Sequence, residues 1–95
     1  MESEIFTLNE RGAAVPASNR DEWEDWICDD RNRFIAKTTV PDGKVSTIFL
    51  GFYDQGCLFE TMILGGPLDG LCHGSRTRDE AILEHDDMVK RAKGV

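Results

Sequence analysis

The stretch from Val45 to Gly66 limits the fold most strongly, because it contains two consecutive runs of residues that favour β-strands. The runs Val45 to Tyr53 and Leu58 to Leu64 are rich in β-branched and aromatic residues, and a short turn segment beginning at Asp54 separates them. This pattern predicts a β-hairpin. Neither face of the first run is cleanly polar, so we expect that strand to be central and covered on both sides.

A third run of strand-forming residues, Phe34 to Val40, precedes the hairpin. A turn beginning at Pro41 joins it to the next strand; proline presets the first turn dihedral, and Gly43 is expected to adopt a positive φ. The three runs predict a three-stranded antiparallel meander in chain order. Glu4 to Leu8 could add a fourth strand to the same sheet.

A short helix is predicted before the meander. Asn19 and Glu22 have the spacing of a capping box, and the helix is expected to end near Cys28. Trp23 and Trp26 share one face at helical spacing, which favours packing on the core over an exposed aromatic binding site.

A longer helix, Arg78 to Lys93, is predicted after the meander. Thr77 and Glu80 form a second capping box, acids fill the first turn, bases fill the last turn, and Gly94 marks the stop. Its apolar face includes His85, which is more typical of a partly buried histidine than of a catalyst. We expect this helix to lie across one side of the sheet.

Two segments with turn-forming composition are predicted to be connecting loops. Asn9 to Ala17 combines small residues with Pro16, and Gly65 to Arg76 contains four glycines and a proline. Glycine and proline weaken regular elements, and long loops are where binding residues often lie.

Together these elements predict an α+β fold in which a helix packs on a meander of three strands, or four with the N-terminal one. A chain of 95 residues has no material for a second core, so a single domain is expected. Residues 1–17 would form its N-terminal strand and loop, and residues 18–95 its core of helix, meander and helix.

The overall charge narrows the class of partner. The net charge is −7 and the pI is about 4.7, which argues against binding to nucleic acids or anionic membranes, since both require concentrated Lys and Arg. The first residues have neither a basic start nor an apolar run, so a cytoplasmic protein is expected. Three cysteines at wide spacings predict reduced thiols rather than a disulfide framework.

Metal-binding and nucleophilic motifs are weak. Cys72 and His73 are adjacent, with His85 on the final helix, but the spacing of a zinc site is missing. A thiolate nucleophile near His85 would face Glu84 and Asp86, whose charges disfavour the thiolate. The sequence therefore predicts a protein that is not an enzyme and has no cofactor or metal.

An acidic segment is the most distinctive charged feature. Between Asp21 and Asp30 there are six acids and no base, which indicates a solvated helix face or, alternatively, an acidic patch that meets a basic partner or imitates nucleic-acid phosphates. If a protein partner exists, the expected contacts come from this segment and from the Gly65 to Arg76 loop, namely Asp21, Glu22, Trp23, Glu24, Asp25, Trp26, Pro67 and Asp69.

Several motifs together resemble those of a known family. They are RNRFIAKTTV, VSTIFLGFYD and LFETMILGG, followed by a T-x-x-E-A helix with His85. From Trp23 to Val89 the chain resembles a family of small uncharacterised bacteriophage and prophage proteins with paired VST and LFETM strands. It departs from that family in its shorter turn at Asp54 and in its Cys72–His73 pair. The family supplies no catalytic residues to transfer.

The resemblance implies a phage gene product acting in the bacterial cytoplasm. One hypothesis is a non-enzymatic protein that binds a host protein or complex, such as a host-defence inhibitor that acts as anti-CRISPR proteins do. The alternative is a phage structural or assembly protein that self-associates through an edge strand of the meander.

Overall fold

Short strands and helices surround a four-stranded sheet in the computed structural model, which describes residues 4–94. The fold is α+β with a C-terminal helix, as predicted. In chain order the elements are β1 (Phe6–Leu8), β2 (Ala14–Pro16), α1 (Arg20–Ile27), α2 (Asp30–Arg33), β3 (Phe34–Val40), β4 (Gly43–Asp54), β5 (Cys57–Leu64), β6 (Cys72–Ser75) and α3 (Arg78–Lys93).

The predicted meander forms the first three strands of the sheet. Strands β3, β4, β5 and β6 are antiparallel neighbours in chain order. The β4–β5 hairpin closes through Gln55 and Gly56, whose φ values are 51° and 81°. Positive φ at both turn residues matches the twist of the flanking strands, so the hairpin closes tightly after a long, strongly β-forming run.

The predicted position of the fourth strand is wrong. Phe6–Leu8 is a strand, but it pairs with β2 in a separate two-stranded sheet, with Phe6 opposite Pro16 and Leu8 opposite Ala14. Strand β2 lies in the segment that was expected to be a loop. Phe6, Leu8 and Ala14 pack against the core, so contact with the rest of the protein stabilises a hairpin whose sequence is only weakly strand-forming.

The fourth strand is β6, inside the glycine-rich segment that was also predicted to be a loop. Its backbone pairs with β5, with Ser75 opposite Phe59 and Cys72 opposite Met62. A Cβ on Gly74 would come within 2.9 Å of the Cys57 sulfur, so glycine fits closely beside β5. Pairing with β5 therefore outweighs the low strand preference of this segment.

The turn between β3 and β4 also differs from the prediction. Only Pro41 and Asp42 connect the strands, because Val40 and Gly43 are paired directly. Gly43 is not among the residues with positive φ; instead, a Cβ there would collide with the backbone oxygen of Leu64. Glycine is required here for the close approach of two backbones and not for a special dihedral angle.

Helix α3 covers one face of the sheet. Two apolar clusters lie between them, one containing Met88 and the other Ala81 of the helix. The buried members are at most 6% exposed and comprise Val40, Val45, Ile63 and Met88 in the first cluster, and Phe49, Leu58, Phe59 and Ala81 in the second.

The opposite side of the sheet, called the open face below, remains partly exposed. Cross-strand pairing places on it Phe34, Lys37, Thr39, Lys44, Ser46, Ile48, Glu60, Met62, Leu64, Cys72 and Gly74. Ile48 and Met62 at its centre are only partly buried. Strand β4 is central as predicted. The expectation that both its sides are covered holds only in part, because on the open face Ser46 is buried whereas Ile48 is partly exposed.

Candidate functional site

Helix α1 is anchored to the sheet by its two tryptophans. Asn19 caps the helix by accepting a 2.8 Å hydrogen bond from the backbone N–H of Glu22, as the sequence predicted. The Trp23 indole N–H donates to the Gly51 carbonyl at 3.1 Å, and the Trp26 ring meets Phe49 edge-on at 5.6 Å. The core-packing interpretation of the tryptophans is confirmed, and only part of each ring is left for a partner.

Gly51 makes this docking possible. It has φ of 81°, and a Cβ there would lie 2.8 Å from the Trp23 indole nitrogen and 2.9 Å from the Ile27 Cδ1. Only glycine provides both the backbone conformation and the space. The fixed rings therefore set the direction in which the opposite side of α1 faces.

The outer side of α1 carries the predicted acidic residues. Asp21, Glu22, Glu24 and Asp25 are all exposed. Glu24 forms an ion pair with Arg20 at 3.2 Å. In the described part of the chain no basic partner is found for the other three carboxylates. They form what we call the acidic face, defined as Asp21, Glu22 and Asp25.

The remaining acids of this segment are neutralised locally. Asp29 caps α2 and accepts two hydrogen bonds from the Arg31 guanidinium, at 2.8 and 3.1 Å. These bonds lower the pKa of Asp29 and raise that of Arg31. Asp30 pairs with Arg33 at 3.1 Å. Between Asp21 and Asp30, the carboxylates without an ion pair are therefore confined to α1.

Pro67 and Asp69, the other predicted contacts, are exposed but lie at the opposite end of the sheet. Asp69 accepts a 2.6 Å hydrogen bond from the Gly65 N–H, which fixes the loop after β5. Lys44 near this loop and Gly51 beneath α1 are seven residues apart on β4, or about 23 Å at the usual strand rise. The structure does not bring the two sets of predicted contacts together.

His85 lies in a buried polar row between the two apolar clusters. Its Nδ1 and Nε2 are each 2.8 Å from a threonine Oγ1, of Thr47 and Thr38 respectively, and Thr47 is 2.7 Å from the Thr61 hydroxyl. Burial lowers the pKa of His85, and nearby Asp86 opposes this only in part. With both ring nitrogens engaged, this histidine has a structural role.

Cys72 and His73 project to opposite sides of β6, since neighbouring residues alternate along a strand. Cys72 lies on the open face, whereas His73 pairs with Thr61 and its Nε2 is 3.8 Å from a Glu84 carboxylate oxygen. Throughout residues 4–94, no three His, Cys, Asp or Glu side chains come close enough to hold one metal ion. The prediction of no metal was made from spacing and is not tested by this arrangement.

The surroundings of Cys72 disfavour its thiolate. Partial burial and the neighbouring carboxylates of Glu60 and Asp54 raise the pKa of the Cys72 thiol to about 11. The thiol is therefore protonated at neutral pH, and a protonated thiol is a poor nucleophile.

A cleft that sequence reasoning missed lies beside α1. It has a volume of about 490 Å³ and is bounded by the β1–β2 loop, α2, the start of β3 and the first residue of α3. Arg11, Arg31 and Arg78 line it, with Glu10 as the acidic member. These residues come from three distant parts of the chain, so local spacing carries no signal for the cleft.

Comparison of the chain with protein families, curated proteins and solved structures gave no match. In residues 4–94, no helix has the length and apolar character needed to cross a membrane.

Proposed function

We propose that this chain is a small phage-encoded binding protein without a catalytic centre, which occupies a host protein through the acidic face of α1. The observation that carries the proposal is the combination of three exposed, unpaired carboxylates with an anchored helix. Because the tryptophans hold α1 on the sheet, the helix that carries the carboxylates does not have to be ordered when a partner binds, which lowers the cost of association.

The chemistry of the acidic face favours a basic partner surface. Carboxylates in a fixed arrangement attract Lys and Arg and raise the rate of association with a positively charged patch. A host protein that normally binds nucleic acid offers such a patch. In the phage setting implied by the sequence resemblance, the bacterial cytoplasm is the place of action and a host-defence complex is the favoured target.

The test is affinity purification of the tagged protein from uninfected and phage-infected bacterial lysates, followed by mass spectrometry and titration of the purified partner. One variant reverses the charge of the acidic face through Asp21→Lys, Glu22→Lys and Asp25→Lys. A control variant with the same change in net charge carries Glu10→Lys, Asp54→Lys and Asp86→Lys, all exposed and outside α1.

We expect the α1 variant to weaken partner binding by about tenfold or more, because several charge pairs are lost together. The control variant should retain most of the affinity. Equal weakening by both variants would indicate a non-specific effect of net charge, and failure to recover any partner from either lysate would contradict the proposal.

Self-association is the second candidate function, and the open face is the observation that favours it. Ile48 and Met62 are apolar and partly exposed, and Leu64 is 37% exposed. The sheet edges favour it less, since β6 is short and β3 carries the exposed Lys37, and both features protect against edge pairing.

Light scattering over a range of protein concentrations tests this second candidate. A dimer of the unmodified protein that is absent in the Met62→Lys variant would support association through the open face. A strict monomer at every concentration would exclude it as the working state.

A further inference from the structure

The cleft beside α1 concentrates positive charge in an otherwise acidic protein. Three of its lining residues are arginines and one is a glutamate, whereas the whole chain has a net charge of −7. The guanidinium of Arg31 is already engaged by Asp29. Arg11 and Arg78 form no ion pair with any residue of the described range 4–94. The cleft therefore contains two unpaired guanidinium groups.

The β1–β2 loop carries Arg11 and contacts the Arg78 side chain at Gly12. The Asn9 side-chain oxygen accepts hydrogen bonds from the backbone N–H groups of Arg11 and Ala13, at 2.9 and 3.0 Å, and fixes the loop. Gly12 has φ of 77°, and the Arg78 side chain passes so close that a Cβ on Gly12 would collide with it. Glycine thus lets Arg78 lie directly beside the residue that follows Arg11.

Apolar side chains, two of them aromatic, form the smaller part of the cleft lining, and we call this part the apolar floor. Leu8, Trp26, Phe34 and Ile35 contribute to its lining, and all are half-buried. A volume of about 490 Å³ is within the range of small-molecule sites, which combine apolar walls with a few convergent polar groups. Guanidinium groups match phosphate oxygens in geometry and charge, and aromatic side chains accept flat rings.

We propose that this cleft binds a small organic phosphate, with the phosphate between Arg11 and Arg78 and a flat ring against the apolar floor. Binding would neutralise two positive charges that line the same cleft and have no ion-pair partner among residues 4–94. It would also link the β1–β2 hairpin to α3. This site is separate from the acidic face of α1, so the result of its test does not depend on whether the proposed function is correct.

Isothermal titration calorimetry with adenosine monophosphate as the probe tests the site, with adenosine, inorganic phosphate and a short single-stranded oligonucleotide bearing a terminal phosphate as comparison ligands. The variants are Arg11→Gln and Arg78→Gln. Arg91→Gln is the matched control, since Arg91 is exposed on α3, pairs with Asp87 and is absent from the cleft. Thermal unfolding of each variant establishes that it is folded.

We expect adenosine monophosphate to bind more tightly than each comparison ligand. Arg11→Gln and Arg78→Gln should each weaken binding by about tenfold or more, because a charge-assisted hydrogen bond to phosphate is lost. Arg91→Gln should bind as the unmodified protein does.

Several results would overturn the proposal. One is that adenosine monophosphate gives no heat of binding. Another is that Arg91→Gln weakens binding as much as the cleft variants do, and a third is that adenosine binds as tightly as adenosine monophosphate. If inorganic phosphate bound as tightly as the nucleotide, the proposed contact between the ring and the apolar floor would be contradicted. If the oligonucleotide bound more tightly, the ligand would not be a small molecule.

Discussion

The covered and open faces of the four-stranded sheet use similar residues in opposite ways. On the covered face, Thr47 and Thr61 are fully buried although they are polar. On the open face, Ile48 and Met62 are apolar yet remain partly exposed. The comparison shows that cross-strand register and the position of α3 decide which residues are buried in this sheet, whereas residue polarity alone does not.

The difference follows from what each face contacts. Buried hydroxyl groups are tolerated on the covered face because His85 and the threonines satisfy one another by hydrogen bonds. The partly exposed apolar groups of the open face have no such constraint and are free to contact a further molecule. The open face is thus the side on which substitutions are expected to be mild.

The strongest test of the comparison replaces one apolar residue from each face. Phe49→Ala should lower the free energy of unfolding by about 3–5 kcal/mol, because Phe49 is fully buried against Trp26 and Phe59. Met62→Ala on the open face should cost less than about 1 kcal/mol. Urea unfolding measures both. A similar loss for the two variants would show that the open face is also covered in solution.

The polar row of the covered face provides the next test. Thr47→Val keeps the side-chain shape but removes the hydrogen-bond partner of His85 Nδ1 and of the Thr61 hydroxyl, so we expect a loss of about 1–3 kcal/mol. The matched control is Thr39→Val on the open face, where Thr39 is exposed, and it should change stability by about 0.5 kcal/mol or less. Equal effects in urea unfolding would contradict the assignment of the two faces.

A smaller effect is expected from pH. The pKa of His85 is lowered below 6.5 in the folded protein, so the unfolded chain binds more protons in the window between the two values. The stabilisation is complete above the unfolded pKa and is lost as pH falls through that window. The charge that acts on the ring is that of Asp86 on α3 itself, and the facing residues of β3, β4 and β5 are threonines.

Urea unfolding from about pH 7.5 down to about pH 5.5 measures this effect. His73→Gln, at an exposed position, should keep the pH dependence of the unmodified protein, whereas His85→Gln should reduce it. If the pH dependence were lost in His73→Gln and kept in His85→Gln, the effect would come from His73 and the prediction would be wrong.

The smallest effect concerns the rate at which the Cys72 thiol on the open face is alkylated. Because the pKa of Cys72 is raised to about 11, we expect slow alkylation at mildly alkaline pH even though the residue is exposed. Glu60→Gln removes a neighbouring negative charge and should speed the reaction, with little change in stability. Glu84→Gln, beside His73, should leave the rate unchanged. Peptide mass spectrometry of each modified cysteine provides the rates.

The parts of the fold that were predicted correctly have strong local signals. The caps at Asn19 and Thr77 and the long β-forming run from Val45 specify α1, α3 and the central hairpin. Strands β2 and β6 form through pairing with distant segments, and their own residues give little indication of it. Full coverage of both faces of β4 was predicted because both faces of its sequence contain apolar residues.

The same reasoning applies to the candidate sites. The acidic residues of α1 all lie between Asp21 and Asp25, so their exposure on one helix could be predicted. The separation of Pro67 and Asp69 from them depends on the length of β4, and the neutralisation of Asp29 and Asp30 depends on side chains of α2. The arginine cleft requires knowledge of how the first hairpin meets α3.

The row formed by His85 and the threonines also determines where α3 sits along the sheet. A shift of the helix by one turn, about 5.4 Å, would bring Ala81 or Val89 opposite the threonine hydroxyls and would place the imidazole ring in an apolar cluster. Apolar packing alone tolerates such sliding, because its contacts are not directional. The hydrogen bonds do not tolerate it, and they select one alignment of helix and sheet during folding.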